Sequence, residues 1–300
     1  MTSAIQVSAV RKKYGDVTAL DGASFMIERG EFFGILGPNG AGKSTLIEIM
    51  AGLRRADAGS VTVLGRPVWP RDPRLLRQVG MQTQAPAFFS KLTATEHVET
   101  VAALYGIRAR QARRAIALAG LTEKRHTRIE HLSGGQRQRL AIAAAIVHEP
   151  ELIFFDEPMA AVDTHARMEL HSLLTRIRRQ GRTIVYTTHQ LDEAEEFCDR
   201  VAILSRGSVI AVDTPSNLAR RIDGTSRVSV PRDLLPPHAA WRIPGVEDVA
   251  TEGSWTVVTT RRAGPVLSLA ERLGGLQRVN MRPARLEDVY LEMTGKDHEQ

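Results

Sequence analysis

The sequence predicts an α/β protein built around a parallel β-sheet, and two stretches carry this prediction. The apolar run 32–36 leads into a glycine-rich turn and then into a helix-like run at 45–53, so strand, loop and helix follow one another. The apolar run 152–155 ends in Asp156 and Glu157, as is typical of a strand buried on both faces of a parallel sheet. The carboxyl ends of such strands form the edge where open α/β folds bind their ligands.

Composition narrows the class of protein. The chain has 300 residues, of which 43% are hydrophobic, enough for a real core in one large domain or in two. Its formal charge is +6, but the basic residues lie in dispersed short clusters without interleaved aromatic residues, so we expect no specific nucleic acid partner. The single cysteine, Cys198, excludes a disulfide within the chain, and we expect a small buried thiol on a helix. We see neither a secretory signal nor an apolar stretch of roughly 18 residues, the length of a membrane span.

The first part of the chain predicts an antiparallel β layer. Residues 1–36 alternate between apolar and polar side chains, as at Ile5 and Val7, before the glycine-rich turn. Tyr14 lies within Lys13–Asp16, a turn composition that would hold an aromatic ring at the surface. An exposed ring at this position is suited to stacking on a purine.

The glycine-rich turn fits the pattern G-x-x-x-x-G-K-[ST], in which backbone N–H groups of a loop and a helix N-terminus cradle phosphate. We expect Lys43 to reach the β- and γ-phosphates and the Ser44 hydroxyl to coordinate Mg²⁺. The expected nucleotide-binding residues of this stretch are Gly37, Pro38, Asn39, Gly40, Ala41, Gly42, Lys43, Ser44 and Thr45.

A helical insertion is predicted over about 86–150. Runs 93–105 and 109–119 have helical periodicity, and Gly106 and Gly120 follow them as C-terminal stops. The residues before the insertion contain predicted strands at 60–64 and 79–81, separated by a proline-rich connection at 67–73.

The helical insertion also contains a second candidate anion site. The sequence Leu-Ser-Gly-Gly-Gln at 132–136 precedes a strongly helical run at 141–147. A serine and two glycines at a helix start form a nest of free N–H donors. A plain helix cap is the alternative, but the continuation rich in glutamine and arginine keeps polar side chains close to whatever the nest binds.

Three polar side chains are expected at the carboxyl edge of the sheet. Asp156 is placed to hold the Mg²⁺ shell, and Glu157 to orient an attacking water or accept its proton. A further strand at 183–187 is followed by His189, which therefore shares this edge with Asp156. A lone histidine is more often structural, but this position favours a catalytic role.

These motifs resemble the ATP-binding subunits of ATP-binding cassette (ABC) transporters over about residues 3–220. The phosphate loop alone would identify only a phosphate-loop nucleotidase, whereas the pentapeptide 132–136 in the right order is highly specific. The resemblance implies a P-loop NTPase (RecA-like) ABC cassette in residues 1–220, with an antiparallel β subdomain and a helical subdomain. It also implies ATP and Mg²⁺ as cofactors.

The resemblance implies a role for each matching residue. Tyr14 corresponds to the aromatic residue that stacks on adenine. Gln84 corresponds to the Q-loop glutamine, which touches Mg²⁺ or the attacking water and couples to the membrane subunit, with Gln82 as the alternative assignment. The remaining catalytic assignments are Lys43 as the Walker A lysine, Asp156 as the Walker B aspartate, Glu157 as the catalytic glutamate and His189 as the switch histidine.

The same resemblance assigns the signature, which binds the γ-phosphate of ATP held by the opposite subunit, and the D-loop. The signature residues are Ser133, Gly134, Gly135 and Gln136, and the D-loop aspartate is Asp163. The family usually has threonine, glycine, leucine and proline where this chain has Met159, Ala161, Val162 and Thr164. Because Asp163 remains, we expect altered packing at the dimer seam rather than lost catalysis.

A phosphate loop and a signature nest cannot both reach one γ-phosphate within a subunit. The resemblance therefore implies two cassettes facing head to tail with two ATP molecules between them, and we expect a homodimer. Binding would close the pair and hydrolysis would open it. The free-energy difference between the two forms can be passed to a partner at the Q-loop region and the helical insertion.

Residues 221–300 predict a small α+β accessory domain. Prolines and glycines become frequent, and strand-like pieces surround a helical run at 265–273. The predicted strands are 228–230, 246–251, 256–260 and 276–281, and a last helix covers 286–293. The ending at 283–295 resembles the tail of ABC-2 type exporter ATPases, including the daunorubicin resistance group.

The leading hypothesis is an ATPase subunit that powers an ABC-2 type membrane exporter of a drug, lipid or other hydrophobic substrate. Its permease would be a separate polypeptide, and the ATPase would lie on the cytoplasmic face of the membrane. A soluble ABC ATPase acting on ribosomes or DNA is the first alternative, disfavoured by the single cassette and the absence of a heptad run. The ATPase of an importer is the second.

Overall fold

The computed structural model describes residues 3–160, 162–221, 226–283 and 286–295. The chain divides into two compact units, Met1–Thr214 and Pro215–Gln300. The sequence-based boundary after residue 220 therefore falls inside a helix of the second unit, Pro215–Arg221. In the described ranges, no helix combines the length and the apolar character needed to cross a membrane.

The first unit contains ten strands and seven α-helices in its described residues. The strands are β1 Ser3–Tyr14, β2 Val17–Glu28, β3 Phe32–Leu36, β4 Ala58–Val63, β5 Arg66–Pro67, β6 Val79–Gln82, β7 Leu152–Asp156, β8 Thr183–Thr188, β9 Arg200–Ser205 and β10 Ser208–Asp213. The helices are α1 Lys43–Met50, α2 Pro73–Leu76, α3 Ala94–Leu104, α4 Ala109–Leu118, α5 Gly134–Ile146, α6 Thr164–Arg178 and α7 Leu191–Phe197.

The predicted antiparallel layer is confirmed as a four-stranded sheet with the order β2-β1-β4-β5. Val7 of β1 pairs with Phe25 of β2 on one side and with Val61 of β4 on the other. The inward side chains of this sheet share one buried core with the apolar face of α1, which includes Leu46 and Ile49. Alternation in the sequence thus places one face of each strand on the core of the unit.

The predicted parallel sheet is the centre of the first unit. Its strand order is β10-β9-β3-β8-β7-β6, and all neighbours are parallel except β10, which pairs antiparallel with β9. All residues of β3 and β7 are buried, as their uninterrupted apolar sequences predict. The carboxyl ends of β3, β7 and β8 meet at one edge, which places residue 37, Glu157 and His189 side by side.

The helical segment lies between β6 and β7. A capping box begins α3, in which the Thr93 side chain accepts from the Glu96 backbone and the Glu96 side chain accepts from that of Thr93. Helices α3 and α4 are followed by Gly106 and Gly120, whose φ angles are 71° and 68°. These left-handed glycines confirm the predicted stops.

Cys198 follows α7 as a buried free thiol beneath the parallel sheet. A Cβ added to Gly34 of β3 would lie 2.7 Å from its sulfur, so the two residues are in tight contact. Burial raises the pKa of the thiol well above its usual value. The expectation of a small buried side chain is confirmed, although Cys198 caps the helix in an extended conformation rather than continuing it.

The second unit is an antiparallel sheet with helices, in the order β12-β13-β11-β14. Its core joins sheet residues such as Val228 and Val258 to Val266 of the helix at 263–272. Its elements are α8 Pro215–Arg221, β11 Ser226–Pro231, α9 Pro237–Ala240, β12 Val246–Glu252, β13 Trp255–Thr260, α10 Ala263–Arg272, β14 Asn280–Pro283 and α11 Leu286–Gly295.

One predicted strand of the second unit, 276–281, is wrong in its first half. Leu276–Arg278 form a 3₁₀ turn, in which the Val279 N–H donates to the Leu276 carbonyl at 3.1 Å. The strand begins at Asn280, opposite Ser229 of β11. Earlier residues are engaged in the turn that leaves α10, so their backbone groups do not reach β11. Within the tail at 283–295, Ala284 and Arg285 lie outside the described residues.

Candidate active site

The loop between β3 and α1 is folded so tightly that glycine is required at two of its positions. Gly42 has a φ of +105°, and a Cβ there would lie 2.3 Å from the Ala19 carbonyl oxygen. A Cβ on Gly37 would lie 2.4 Å from the Leu204 carbonyl oxygen. These contacts hold the loop against neighbouring strands and leave its N–H groups at the start of α1, a geometry suited to phosphate.

Lys43 lies across this loop and is 4% exposed. Its Nζ donates to the Gly37 carbonyl at 2.8 Å and to the Pro38 carbonyl at 3.1 Å. Nζ also pairs with Glu157 Oε1 at 3.1 Å. A phosphate bound in the loop would therefore compete with Glu157 for the ammonium group.

Asp156 ends β7 as a buried carboxylate. Its Oδ1 accepts from the Thr187 hydroxyl at 2.6 Å and lies 3.4 Å from the Ser44 hydroxyl. Burial, more than any other cause, raises the pKa of this carboxyl group. A hydroxyl and a carboxylate are oxygen ligands of the kind that Mg²⁺ prefers. Among the described residues, no group of three or more His, Cys, Asp and Glu side chains forms a metal site, so a cation here would need oxygens from its ligand and from water.

Glu157 connects the loop to the end of β8. Its backbone is left-handed, with φ 47°, and its N–H donates to the Thr187 hydroxyl at 2.9 Å. Its Oε2 lies 3.2 Å from His189 Nδ1, while its Oε1 pairs with Lys43. One buried carboxylate thus contacts both the lysine and the histidine singled out from the sequence.

Thr187 is a residue of the site that was not predicted. Its hydroxyl donates to the Asp156 carboxylate and accepts from the Glu157 backbone N–H, so it holds one carboxylate and the backbone of the residue that carries the other. The available signal was the pair Thr187-Thr188 at the end of a buried strand immediately before His189. Two hydroxyls at that edge are suited to hydrogen bonding with the neighbouring strand β7.

A cavity of about 410 Å³ opens beside the loop. The Tyr14 ring lines it and is 39% exposed. Lys12 Nζ and the Arg54 guanidinium carbon lie 5.6 Å and 5.2 Å from the ring centroid. The cavity brings together many of the residues predicted from the sequence, namely Tyr14, Asn39, Gly40, Gly42, Lys43, Ser44, Thr45, Gln84 and Glu157.

The two candidate glutamines, Gln82 and Gln84, have different surroundings. Gln84 lines the cavity. Gln82 is 2% exposed within β6, and its Nε2 donates to the Thr83 carbonyl at 2.6 Å. The geometry therefore favours Gln84 over Gln82 as the glutamine that meets a ligand in this cavity.

The predicted nest at 133–136 lies elsewhere in the unit, and none of its residues lines the described cavity. Ser133 caps α5 by accepting from the Gln136 N–H at 3.3 Å, and Gln136 Oε1 accepts from the Ser133 N–H at 3.0 Å. Ser133 and Gly134 are exposed. The structure does not bring the nest and the phosphate loop into one pocket.

Asp163 begins α6 next to this nest. Its Oδ1 accepts from the Ala166 N–H at 2.9 Å, and a Cβ on Gly135 would lie 2.4 Å from the Ala166 Cβ. Of the departures in the preceding loop, Met159 is buried and Ala161 lies outside the described residues.

Comparisons with known proteins find similar ATP-binding proteins. A family model described as ABC transporter matches residues 20–160. The Nod factor export ATP-binding protein I of Rhizobium sp. (strain N33) is 34% identical over 304 residues, which is 99% of this chain and 98% of that protein. The linearmycin resistance ATP-binding protein LnrL of Bacillus subtilis (strain 168) is 35% identical over 230 residues, 75% of this chain and 74% of that protein.

Similar solved structures are also ATP-binding cassettes. A dimeric ATP-binding cassette in a post-hydrolysis state, bound to ADP and Pi, superposes with a TM-score of 0.64 at 29% identity. The superposition covers 70% of this chain and 98% of that cassette.

Proposed function

Because the chain belongs to the ABC transporter family of ATP-binding proteins, we propose that it hydrolyses ATP to drive export through an ABC-2 type membrane permease. The observation that carries the catalytic part is Glu157, held between Lys43 and His189 at the cavity that the phosphate loop lines. The export part is supported by full-length similarity to a Nod factor export protein and by similarity to a linearmycin resistance protein.

ATP would occupy the cavity with its adenine on the Tyr14 ring and its phosphates in the loop. Lys43 would exchange Glu157 for the β- and γ-phosphates. Ser44 and Gln84 would hold Mg²⁺ directly, and Asp156 would hold it through water. When bound, Mg²⁺ supplies positive charge that offsets the charge on the phosphoryl oxygens.

Hydrolysis would follow from the position of Glu157. Once Lys43 turns to the phosphates, Glu157 Oε1 is released to orient an attacking water and accept its proton. His189 contacts the other oxygen, Oε2, at 3.2 Å and would keep the carboxylate aligned. Lys43 would stabilise the charge that develops on the transferring phosphoryl group.

A second copy of the chain would complete each site. The exposed Ser133 and Gly134 lie outside the phosphate-loop cavity, so the Ser133 hydroxyl and the Gly134 backbone are open to ATP on another subunit. The dimeric cassette bound to ADP and Pi supports this arrangement. We therefore propose a homodimer in which residues 133–136 contact the γ-phosphate held by the partner.

A cleft of about 320 Å³ between β6, α3 and α5 is the proposed contact for the permease. Phe89 lines it and is 59% exposed. Gln82 and His97 also line it, and Gln82 Oε1 and His97 Nδ1 are buried without a hydrogen-bond partner in the described residues. Because an unpaired buried polar atom is costly, a cytoplasmic permease segment with an apolar side chain and a hydrogen-bond donor suits this cleft. The ATPase would then lie peripherally on the cytoplasmic face of the membrane.

Co-expression with an ABC-2 type permease tests the proposal. We expect the two proteins to co-purify in detergent, and the permease to change the ATPase rate. Phe89→Ser should weaken co-purification while leaving ATP binding intact, because Phe89 lies outside the phosphate-loop cavity. Recovery only with ribosomes or DNA would contradict the transporter function. ATP-dependent uptake of the transported substrate into intact cells would favour an importer.

A further inference from the structure

Helix α6 lies between the two half-sites of a single subunit. One half-site is the nest at 133–136, which serves the partner's ATP in the proposed function, and the other contains Glu157 and His189. The inference below rests on that proposed function. It concerns two side chains to which no role has been given above, Arg167 and Gln190.

The first turn of α6 is locked to the helix that carries the nest. Ala166 of α6 is in such close contact with Gly135 that a Cβ on the glycine would approach the Ala166 Cβ to 2.4 Å. One turn later, Glu169 Oε2 pairs with Arg139 of α5 at 3.1 Å. Arg139 is 8% exposed and also lies within hydrogen-bond distance of the Gly120 carbonyl, at 3.3 Å. A displacement of the start of α5 must therefore be shared by the start of α6.

The same turn of α6 is hydrogen-bonded to the loop that carries His189. Arg167 Nη1 donates to Gln190 Oε1 at 2.6 Å, in a partly buried position. Gln190 is the neighbour of His189, and its N–H donates to the Thr188 hydroxyl at 2.9 Å. The Thr188 hydroxyl in turn donates to the buried Glu193 at 2.7 Å. The loop is thus fixed from both sides, by α6 and by α7.

We propose that Arg167 and Gln190 are positioning residues that transmit nucleotide occupancy at the nest to His189 and Glu157 of the same subunit. The continuous path runs from Gly135 through Ala166 and Arg167 to Gln190, and then to His189, which contacts Glu157. Ala166 and Arg167 are consecutive residues of the first turn of α6, and a guanidinium hydrogen bond is charge-assisted and directional. Engagement of the nest by the partner's ATP would therefore align the catalytic carboxylate for the subunit's own ATP.

The consequence is cooperativity between the two ATP sites of the dimer. Coupling of this kind is a free energy shared by two sites, and it is reciprocal for binding. A side chain that only stabilised the fold would change the unfolding temperature and leave the dependence of rate on ATP concentration unaltered in shape. The Hill coefficient of hydrolysis therefore separates a positioning role from a structural one.

The test is the ATPase rate as a function of ATP concentration in the full-length protein. Arg167→Met should lower kcat by roughly tenfold, the effect of losing one charge-assisted hydrogen bond, and should reduce the Hill coefficient towards one. Binding of a fluorescent ATP analogue in the monomer should change less than about twofold, equivalent to about 0.4 kcal/mol, because Arg167 does not line the phosphate-loop cavity. Gln190→Ala should give the same result and provides a second route if Arg167→Met does not fold.

Two further variants serve as controls. Gln190→Glu keeps an oxygen acceptor for Arg167 and should retain a Hill coefficient close to that of the wild type. Arg176→Met removes an arginine of the same helix whose Nε bonds to the Ser172 carbonyl one turn away, and it should change neither kcat nor the Hill coefficient.

The outcomes distinguish the inference from the proposed function. If the wild type is cooperative and both Arg167→Met and Gln190→Ala keep its Hill coefficient, the positioning role is wrong while the composite site stands. If the wild type has a Hill coefficient of one and Ser133→Ala leaves hydrolysis unchanged, the composite site fails and this inference fails with it.

Discussion

The phosphate-loop half of the site and the nest half are built in opposite ways. In the loop half, Lys43 and Glu157 are buried and paired with each other, and the neighbouring groups are hydrogen-bonded within the chain. In the nest half, the side chains of Ser133 and Gln136 each accept from the other residue's backbone N–H, at an exposed helix start. The loop half is preorganised by its own fold, whereas the nest half is available to a second molecule.

This difference determines where substitutions should act. A change in the loop half alters chemistry inside one subunit, because its groups already contact one another. A change in the nest half should leave that subunit's own nucleotide site intact and appear only when two subunits meet. Three experiments test this contrast, given in order of decreasing expected effect.

Glu157→Gln should have the largest effect. We expect steady-state phosphate release to fall by at least about 100-fold, as for loss of a general base. ATP should bind at least as tightly, because a glutamine no longer competes as a carboxylate for Lys43. The fold should persist, since Lys43 keeps the Gly37 and Pro38 carbonyls. Size-exclusion chromatography with ATP should show a stable dimer.

The matched control is Glu151→Gln, which changes a glutamate immediately before β7, at the opposite edge of the sheet, where it pairs with Arg29 on the surface. This variant should hydrolyse ATP at the wild-type rate. Near-normal hydrolysis by Glu157→Gln would show that another group activates the water.

Ser133→Ala should have an intermediate effect. We expect hydrolysis to fall by roughly tenfold, the effect of about 1.4 kcal/mol, while the monomer binds ATP as before. Because the substitution also removes a helix cap, it should cost about 1 kcal/mol of unfolding free energy. ATP affinity of the monomer, dimer formation and phosphate release measured on one preparation would separate these effects.

Thr93→Ala is the control for the lost cap. Thr93 begins α3 with the same capping-box geometry, in the same helical segment, and it does not line the phosphate-loop cavity. It should lower stability to a similar extent without lowering hydrolysis. If Ser133→Ala removes nucleotide binding from the monomer, the separation into two half-sites is wrong.

Acidification should have the smallest effect, and it should act in the helical segment between β6 and β7, through His97 of α3. His97 is 4% exposed between the rings of Phe88 and Phe89, and burial lowers its pKa. The unfolded chain therefore takes up a proton near pH 6.5 while the folded chain does not. Stability contributed by this residue is present above that pH and is lost as the pH falls from 6.5 towards the folded pKa.

Thermal unfolding between pH 7.5 and 5.5 measures this effect. One histidine changes stability by at most about 1.4 kcal/mol per pH unit, which is a shift of roughly 3–6 °C in melting temperature for a folding unit of this size. His97→Gln should flatten the slope, whereas His126→Gln, at an exposed position of the same segment, should not. Asp156 changes stability in the opposite sense at lower pH. Because its pKa is raised in the folded chain, protonation of its carboxyl group favours the folded state. If His97→Gln has the same slope of melting temperature against pH as the wild type, His97 does not cause the pH dependence.

Local sequence patterns were sufficient for much of the fold and of the loop half. The strands β3 and β7 follow from short apolar runs, and the loop at 37–42 from its glycine spacing. These signals depend on neighbouring residues only, so they do not require knowledge of contacts between distant parts of the chain. The predicted strand at 276–281 failed for the converse reason, since pairing with β11 decides where β14 begins.

Contacts between distant residues could not be predicted from those patterns. Thr187 bonds to Asp156 across 31 positions, and Arg167 bonds to Gln190 across 23. Each polar side chain has many partners of suitable chemistry in the sequence. The packing of β8 on β7, and of α6 beside the loop after β8, selects one of them.

The left-handed backbone at Glu157 has a consequence for protein engineering. Its φ of 47° is unfavourable for a glutamate and acceptable for glycine or asparagine. A variant library ranked by melting temperature alone should therefore favour Glu157→Gly and Glu157→Asn, and both would remove the carboxylate that turnover needs. In this chain a gain in thermostability at the most important position would be a sign of lost activity, so any stabilisation campaign has to hold residue 157 constant.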